Sequence, residues 1–150
     1  MSQFDPFMIL PAGLAIAAIF WQARREAQRK RQRAVPDDPL TPLGYERHCA
    51  AILTSQGWRT TLTAGSGDQG VDVLAKRRGR SVVIQCKLYS RPVGNAAVQE
   101  AIAGQRFMGA THAAVVSNQS YTRAAQELAH RTGVRLLSAD DLRRADALFK

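Results

Sequence analysis

Two runs rich in valine and isoleucine, on either side of Arg78-Gly79, constrain the fold of this chain more than any other feature. The first covers residues 67–75 and the second covers residues 81–87. β-Branched residues favour strands, and a short glycine-containing segment between two such runs is typical of a hairpin. The pattern therefore predicts two antiparallel strands joined by a tight turn.

Three polar side chains are expected to meet on this hairpin. A loop symmetric about Arg78-Gly79 places Asp72 opposite Gln85, and Gln85 and Lys87 share a face because they are two residues apart. A carboxylate suits Mg²⁺, an amide supplies a carbonyl oxygen, and an ammonium orients water or stabilises a charged transition state. The cluster points to phosphodiester hydrolysis. The alternative is that Asp72 and Lys87 are solvated strand ends.

A helix is predicted before the hairpin. Thr41-Pro42 combines a hydroxyl cap with proline at the first helical position, and residues 43–56 follow with helical periodicity. Glu46 falls on the apolar stripe of this helix. An acid there requires a partner or a metal ion, or else it lies at the edge of the stripe and favours the helix N-terminus.

The remaining elements predict an α/β fold with a mixed central sheet flanked by helices. A first strand over residues 58–63 precedes the hairpin, with a glycine-rich loop at residues 65–70. Beyond the hairpin we expect a helix at 95–108, a strand at 111–117, a helix at 122–131, a strand at 134–137 and a terminal helix capped by residues 138–141. Gly109 and Gly133 are the expected helix terminators.

The N-terminal region has a different character. Residues 6–23 contain no charged side chain, and six basic residues and one acidic residue follow within residues 24–33. This length is just sufficient to span a bilayer, Trp21 suits the interface, and the flanking positive charge predicts a cytoplasmic remainder. A signal peptide would carry its basic residues before the apolar run, and an interfacial helix would have a polar face. We therefore expect an anchor at 1–23, a basic linker at 24–39 and one domain at 40–150.

The charge of the chain is consistent with a nucleic-acid partner without requiring one. The formal net charge is +9, and residues 24–33 carry much of it. Arg77, Arg78, Arg80 and Arg91 are expected near the polar cluster, where they would contact phosphates independently of sequence. A solvated arginine-rich turn is the equally simple alternative.

From residue 41 to about residue 143 the chain resembles the catalytic domain of Mrr-type restriction endonucleases, in the PD-(D/E)XK nuclease superfamily. The matching stretches follow the family's order: Gly44-Tyr45-Glu46, Ser66-Gly67-Asp68-Gln69-Gly70-Val71-Asp72, Gln85-Cys86-Lys87-Leu88-Tyr89-Ser90, Pro92-Val93-Gly94, Ala97-Val98-Gln99-Glu100, Gly109-Ala110 and Val115-Val116-Ser117-Asn118. The resemblance implies a restriction-endonuclease-like αβββαβ core.

The resemblance also implies roles for four residues. Asp72 matches the metal-binding aspartate, Lys87 the family lysine, and Glu46 the first-helix glutamate that often completes the site. Gln85 stands where the superfamily usually has a second acid, as in the Gln-x-Lys variant of the family. Metal ligands are then Asp72, Glu46 and Gln85. Gln99 is a further candidate to reach the site from the following helix.

These expectations combine into a membrane-anchored, Mg²⁺-dependent DNA endonuclease of restriction type, with Mn²⁺ as the alternative metal. A homodimer on DNA and a separate specificity partner are further expected partners, since no base-reading motif is present in the sequence. The alternative, from another class, is a membrane-anchored nucleic-acid-binding or assembly module that retains the nuclease fold without cleavage.

Overall fold

The computed structural model describes residues 39–63 and 71–150. The expected anchor at 1–23, nearly all of the basic linker and the glycine-rich loop at 65–70 lie outside these residues. Within the two segments, no helix combines the length and the apolar character needed to cross a membrane.

The described residues form ten elements, whose order begins with the expected αβββαβ. They are α1 (Pro42–Ser55), β1 (Arg59–Leu62), β2 (Val73–Arg77), β3 (Arg80–Lys87), α2 (Asn95–Met108), β4 (His112–Ser117), α3 (Arg123–Thr132), β5 (Arg135–Leu137), a 3₁₀ helix (Asp140–Arg144) and α4 (Ala145–Leu148). The α/β class is confirmed, and apart from the first hairpin strand each predicted strand and helix of the core is present within one or two residues of its expected bounds.

One sheet of five strands organises the domain in the order β1-β2-β3-β4-β5. The first three strands are antiparallel, whereas β4 runs parallel to β3 and β5 parallel to β4, so the sheet is mixed as expected. The hairpin register runs from Val73 opposite Ile84 to Arg77 opposite Arg80. Both turn residues have positive φ, 48° at Arg78 and 77° at Gly79, which is the geometry of a type I′ turn.

The first hairpin run forms a strand only from Val73 onward, later than its composition predicts. The Asp72 amide donates to the carbonyl of Ile84 at 3.0 Å instead of continuing the register towards Gln85. The chain bends there because the Asp72 side chain also bonds to β3. Asp72 is therefore the last residue before the strand, with its side chain turned back onto the neighbouring strand.

Local capping explains where the helices begin and end. The Thr41 hydroxyl accepts from the amide of Gly44 at 3.0 Å, which confirms the predicted start of α1. Gly109 and Gly133 follow α2 and α3 with φ of 59° and 76°, and these left-handed positions favour glycine. All three signals lie within a few residues of the helix they delimit.

Helices cover both faces of the sheet and create two apolar layers. On one face, Ile84 and Cys86 of β3 pack with α1, Trp58 and Phe149. On the other face, Val83 packs with residues of α2 and α3. The position of Cys86 in the core, on the face opposite Gln85 and Lys87, agrees with the alternation expected of a strand.

The C-terminal segment differs from the single helix expected there. A 3₁₀ helix over Asp140–Arg144 is followed by only one short α-helical stretch, Ala145–Leu148. The Arg80 guanidinium donates to the carbonyl of Phe149 at 2.8 Å and so satisfies a helix-terminal acceptor. The Phe149 side chain is fully buried, which fixes the end of the chain against the sheet.

Candidate active site

The predicted polar residues meet at one end of the sheet. The parallel strands β3 and β4 both end there, and Asp72 enters the antiparallel β2 at the same end. Ligand sites in α/β sheets commonly lie outside the carboxyl ends of parallel strands. The topology thus places Asp72 at the same end of the sheet as Gln85 and Lys87, outside the carboxyl ends of the parallel strands.

The Asp72 carboxylate is fixed against the backbone of β3. Its Oδ2 accepts from the amide of Cys86 at 2.6 Å, which leaves Oδ1 as the other oxygen available to a ligand. Burial raises the pKa of Asp72 above its usual value, although the Cys86 amide and the charge of Lys87 act in the opposite direction. A carboxylate that is partly desolvated and has one oxygen fixed is suited to bind a cation with the other.

Gln85 immediately precedes Cys86, whose amide holds this carboxylate, and is nearly inaccessible, with 5% of its surface exposed. Its carbonyl oxygen Oε1 is buried and receives no hydrogen bond from any residue that the structure describes. A buried polar atom without a partner costs about 1–3 kcal/mol. An oxygen-seeking cation would satisfy this atom, and the orphaned carbonyl is the observation that most directly supports a metal site.

Lys87 is held by an acid that the sequence analysis did not identify. Its Nζ lies 2.6 Å from Oε2 of Glu100 on α2, and only 15% of the lysine side chain is exposed. Burial opposes the charge on Lys87, but the hydrogen bond and charge of Glu100 more than offset it, so the pKa of Lys87 is raised. Lys87 therefore remains an ammonium group at neutral pH.

Glu100, and not the candidate Gln99, is the residue of α2 that reaches the site. Gln99 is exposed, while Glu100 is partly buried. The spacing of apolar residues along the helix would have identified it, because Ala97, Ala101 and Gly104 are three of the four buried positions of this helix. Glu100 follows Ala97 by three residues and so lies along the same stripe.

Glu46 lies on α1, close enough to the other charges for them to alter its ionisation. Burial first, and then the negative charge of Asp72, raise the pKa of Glu46 to about 7, while Arg47 and Lys87 act in the opposite direction. Two carboxylates that repel each other in a partly buried position favour a cation between them. The structure thus adds Glu46 to the electrostatic cluster of Asp72 and Lys87.

The acids at this end of the sheet fit a sparsely coordinated hard cation. In residues 39–63 and 71–150, no three His, Cys, Asp or Glu side chains are grouped closely enough to hold a metal ion by themselves. A cation would therefore take the Gln85 carbonyl in addition to Asp72 and Glu46. Mg²⁺ usually binds through one or two carboxylates and retains several waters, so this donor set fits it.

Hydrogen bonds join the chain after β3 to the chain after β4, next to Lys87. The Tyr89 amide donates to the Asn118 side-chain oxygen, and the Asn118 amide group donates to the Tyr89 carbonyl, each at 2.9 Å. The Ser117 hydroxyl donates to the Lys87 carbonyl at 2.8 Å. Together these bonds hold the backbone on either side of the lysine and limit its range of positions.

Three of the four arginines expected near the site lie elsewhere. Arg77, Arg78 and Arg80 are at the turn of the hairpin, at the opposite end of β2 and β3 from Asp72. The expectation of proximity fails because β3 is eight residues long, with the arginine-rich turn at its start and Lys87 at its end. Arg91, which is exposed in the loop after β3, is the one that remains at the end of the strand next to Lys87.

Comparisons with known proteins agree with this architecture. A family model described as Mrr_cat, restriction endonuclease, matches residues 38–145. No curated protein matches the chain. Among solved structures, a protein of unknown function, AF1548, is similar at 22% identity and a TM-score of 0.54, with 69% of this chain and 66% of the other covered.

Two further solved structures share the fold at lower identity. Protein VC1899 from Vibrio cholerae is 15% identical with a TM-score of 0.52, covering 70% of this chain and 32% of its own. The MspJI restriction endonuclease, in complex with a 27-mer oligonucleotide, is 19% identical with a TM-score of 0.50, covering 95% of this chain and 33% of its own. The chain therefore spans about a third to two thirds of the length of these proteins.

Proposed function

The chain belongs to the Mrr-type restriction endonuclease family through residues 38–145, and from this premise we propose that it is a metal-dependent DNA endonuclease. The observation that carries the proposal is the buried Gln85 carbonyl, which has no donor among the described residues and belongs to the residue before Cys86, whose amide holds the Asp72 carboxylate. The oligonucleotide bound to MspJI, a protein of similar fold, supports DNA as the substrate.

Each residue of the site has a separate task in this proposal. Asp72, Glu46 and Gln85 would hold Mg²⁺ or Mn²⁺, which when bound supplies an activated water and stabilises charge on the phosphate. Lys87 remains protonated because of Glu100, so it acts as a hydrogen-bond donor and positive charge, not as a base. Its ammonium would orient the attacking water or stabilise the extra negative charge of the transition state.

A second candidate function follows from the uncharged Gln85. A site with one fewer acid than most of the superfamily is also what a non-cleaving DNA-binding or assembly module would retain. The two functions differ in whether Asp72 and Lys87 affect the integrity of DNA or only its binding. The same samples distinguish them when cleavage and binding are measured together.

The test is plasmid cleavage by the full-length chain with Mg²⁺ or Mn²⁺, with and without EDTA. We expect metal-dependent nicking or linearisation, with the Asp72→Ala and Lys87→Ala variants reduced by about 100-fold or more, as for loss of a group that stabilises a transition state. The exposed acid Asp140 provides the control, since Asp140→Ala removes a carboxylate from the surface. DNA binding without cleavage in all samples would instead support the second function.

We also propose the cellular arrangement expected from the sequence. Residues 1–23 would anchor the chain in a membrane, with the catalytic domain on the cytoplasmic side, and residues 24–39 would connect the two. A homodimer would present one site to each strand of a duplex. A separate partner would then supply any sequence or modification specificity.

A further inference from the structure

A cavity at the turn of the hairpin lies at the opposite end of the strands from the candidate active site. We call it the hairpin-end cavity; its volume is about 720 Å³, and it is lined by Gly57, Trp58, Arg59, Lys76, Arg77, Arg78, Gly79, Arg80 and Ser81. Five of these residues are cationic and none is acidic. The cavity therefore has the composition of an anion site.

Two of the five cations have structural roles. Arg77 pairs with Asp146 at 2.8 Å and also donates to the carbonyl of Gln56. Arg80 pairs with Asp146 at 3.3 Å, and its guanidinium carbon lies 5.5 Å from the ring centroid of Trp58. Asp146 is thus already shared between two guanidinium groups, and both arginines are needed to hold the C-terminal segment on the hairpin.

The other three cations, Arg59, Lys76 and Arg78, are exposed. In the part of the chain that the structure describes, no acidic side chain forms an ion pair with any of them. Arg59 and Lys76 are direct cross-strand partners in β1 and β2. Like charges at directly opposed positions destabilise a sheet. An anion bound from another molecule would neutralise them and remove this repulsion.

We infer that the hairpin-end cavity binds backbone phosphates of DNA, through Arg59, Lys76 and Arg78, outside the segment that is cut. This inference rests on the proposed function, because it takes DNA as the substrate. Lys76 is four residues from Asp72 along the hairpin, which is about 13 Å of extended chain. One strand of B-DNA has a phosphate about every 3.4 Å along its axis, so the contacts fall about four nucleotides from the scissile bond.

A polyanion is favoured over a single small anion by the spacing of the cations. Arg59 and Lys76 lie side by side on two strands, whereas Arg78 is exposed at the tip of the turn. Successive phosphates along a DNA strand can each pair with one of these separated cations. The energy gained is then sequence-independent and depends strongly on salt, because each neutralised phosphate releases condensed counterions.

The experiment measures how the affinity of the full-length chain for a 30-base-pair duplex depends on salt, in metal-free buffer. The Arg59→Gln/Lys76→Gln variant is compared with Arg131→Gln/Arg135→Gln, which removes two exposed cations from α3 and β5. We expect the slope of log K against log[salt] to become less negative by about two in the first variant only, since each lost phosphate contact changes it by about 0.9. Adding Arg78→Gln to this variant should make the slope less negative still.

The position of the contact is tested by ethylation interference with cleavage: a duplex ethylated at random phosphates is cut in Mn²⁺, so that each product carries its own cut as the reference point. Ethyl groups about four nucleotides from the cut should be depleted among the products of wild type but not among those of Arg59→Gln/Lys76→Gln. Equal slopes in the two double variants, or an unchanged interference pattern, would overturn the inference while leaving the endonuclease intact. A wild-type chain that does not bind duplex DNA would overturn both this inference and the proposed function.

Discussion

Gln85 determines how charge is distributed in the candidate active site. An amide supplies an oxygen ligand but no charge, so the negative charge for a cation has to come from Asp72 and from Glu46 on another element. Glu100 does not serve this purpose, because its carboxylate is paired with Lys87 at 2.6 Å. In the proposed site Asp72 and Glu46 would supply the negative charge for the cation, while Glu100 neutralises the lysine. The net charge of the four ionised groups is then complementary to a divalent ion.

The raised pKa of Glu46 predicts a pH-dependent metal affinity. A carboxylate must be ionised to bind a cation, and the pKa of Glu46 is raised to about 7. Affinity for Mn²⁺, measured by calorimetry, should therefore increase up to about tenfold per pH unit between about pH 5.5 and pH 7 and level off above. Glu46→Gln should bind more weakly and lose this dependence, whereas Asp140→Asn should not. An identical pH profile in Glu46→Gln would contradict the assignment.

The same shift has an opposite consequence for the metal-free fold. A raised acid pKa means that the folded state holds the proton more tightly than the unfolded state does, so Glu46 favours folding below about pH 4.5 and this contribution is lost as the pH rises to about 7. At pH 8 without metal, Glu46→Gln should unfold at a higher urea concentration than wild type. Added Mn²⁺ should reverse the order of the two proteins.

The ion pair between Lys87 and Glu100 predicts a role for Glu100 in turnover. Glu100→Gln keeps the shape of the side chain but removes the charge that fixes Lys87, so cleavage at saturating DNA should fall by about 10- to 100-fold with little change in DNA affinity. Glu100→Asp should recover part of the rate. Gln99→Ala, at the exposed neighbouring position, is the control. Equal rates for Glu100→Gln and wild type would show that the pair is only structural.

At the level of elements, local signals in the sequence were sufficient for most of the fold. The cap at Thr41 and the symmetric turn at Arg78-Gly79 involve residues a few positions apart, and both are as predicted. Contacts between residues distant in sequence could not be predicted from such local signals. Arg80 meets Phe149, which is 69 residues away, and no periodicity indicates such a pair. Glu100 differs from this pair, because the buried positions of its helix point to it, but its partner Lys87 lies on another element and no local pattern identifies that partner.

The C-terminal segment is predicted to contribute strongly to stability. Phe149 is fully buried, and its ring lies 6.0 Å from that of Trp58 in an edge-on arrangement. Phe149→Ala should lower the free energy of unfolding by about 3–5 kcal/mol, as for other large-to-small changes in a core. Phe107 is the matched control because 62% of it is exposed, and Phe107→Ala should cost less than about 0.5 kcal/mol. Urea denaturation followed by circular dichroism measures both.

At the level of the whole molecule, the sheet of the described residues carries the candidate active site at one end and the hairpin-end cavity at the other. The acids and Gln85 lie where β3 ends, and the hairpin-end cavity lies where it begins. Because a paired sheet is stiff along its strands, the spacing of the two ends is fixed by the number of residues between them. Contact with DNA at both ends would then set the register of the cut relative to the bound segment without any base-reading module.

The proposed anchor gives the last prediction, which concerns residues 1–33. A spanning helix remains in the membrane when peripheral proteins are stripped, so the full-length chain should stay in the pellet after high-salt and alkaline carbonate washing. Removing residues 1–23 should release it to the supernatant, with plasmid cleavage retained.

The matched variant replaces the six basic residues of 24–33 by glutamine and keeps the apolar run. It should stay in the pellet but lose its fixed orientation, because flanking positive charge determines which side is retained in the cytoplasm. Protease added to intact spheroplasts would then digest the domain in this variant and leave it intact in wild type. Release of the wild-type chain by carbonate would show instead that the apolar run binds peripherally and that the basic residues hold it by charge.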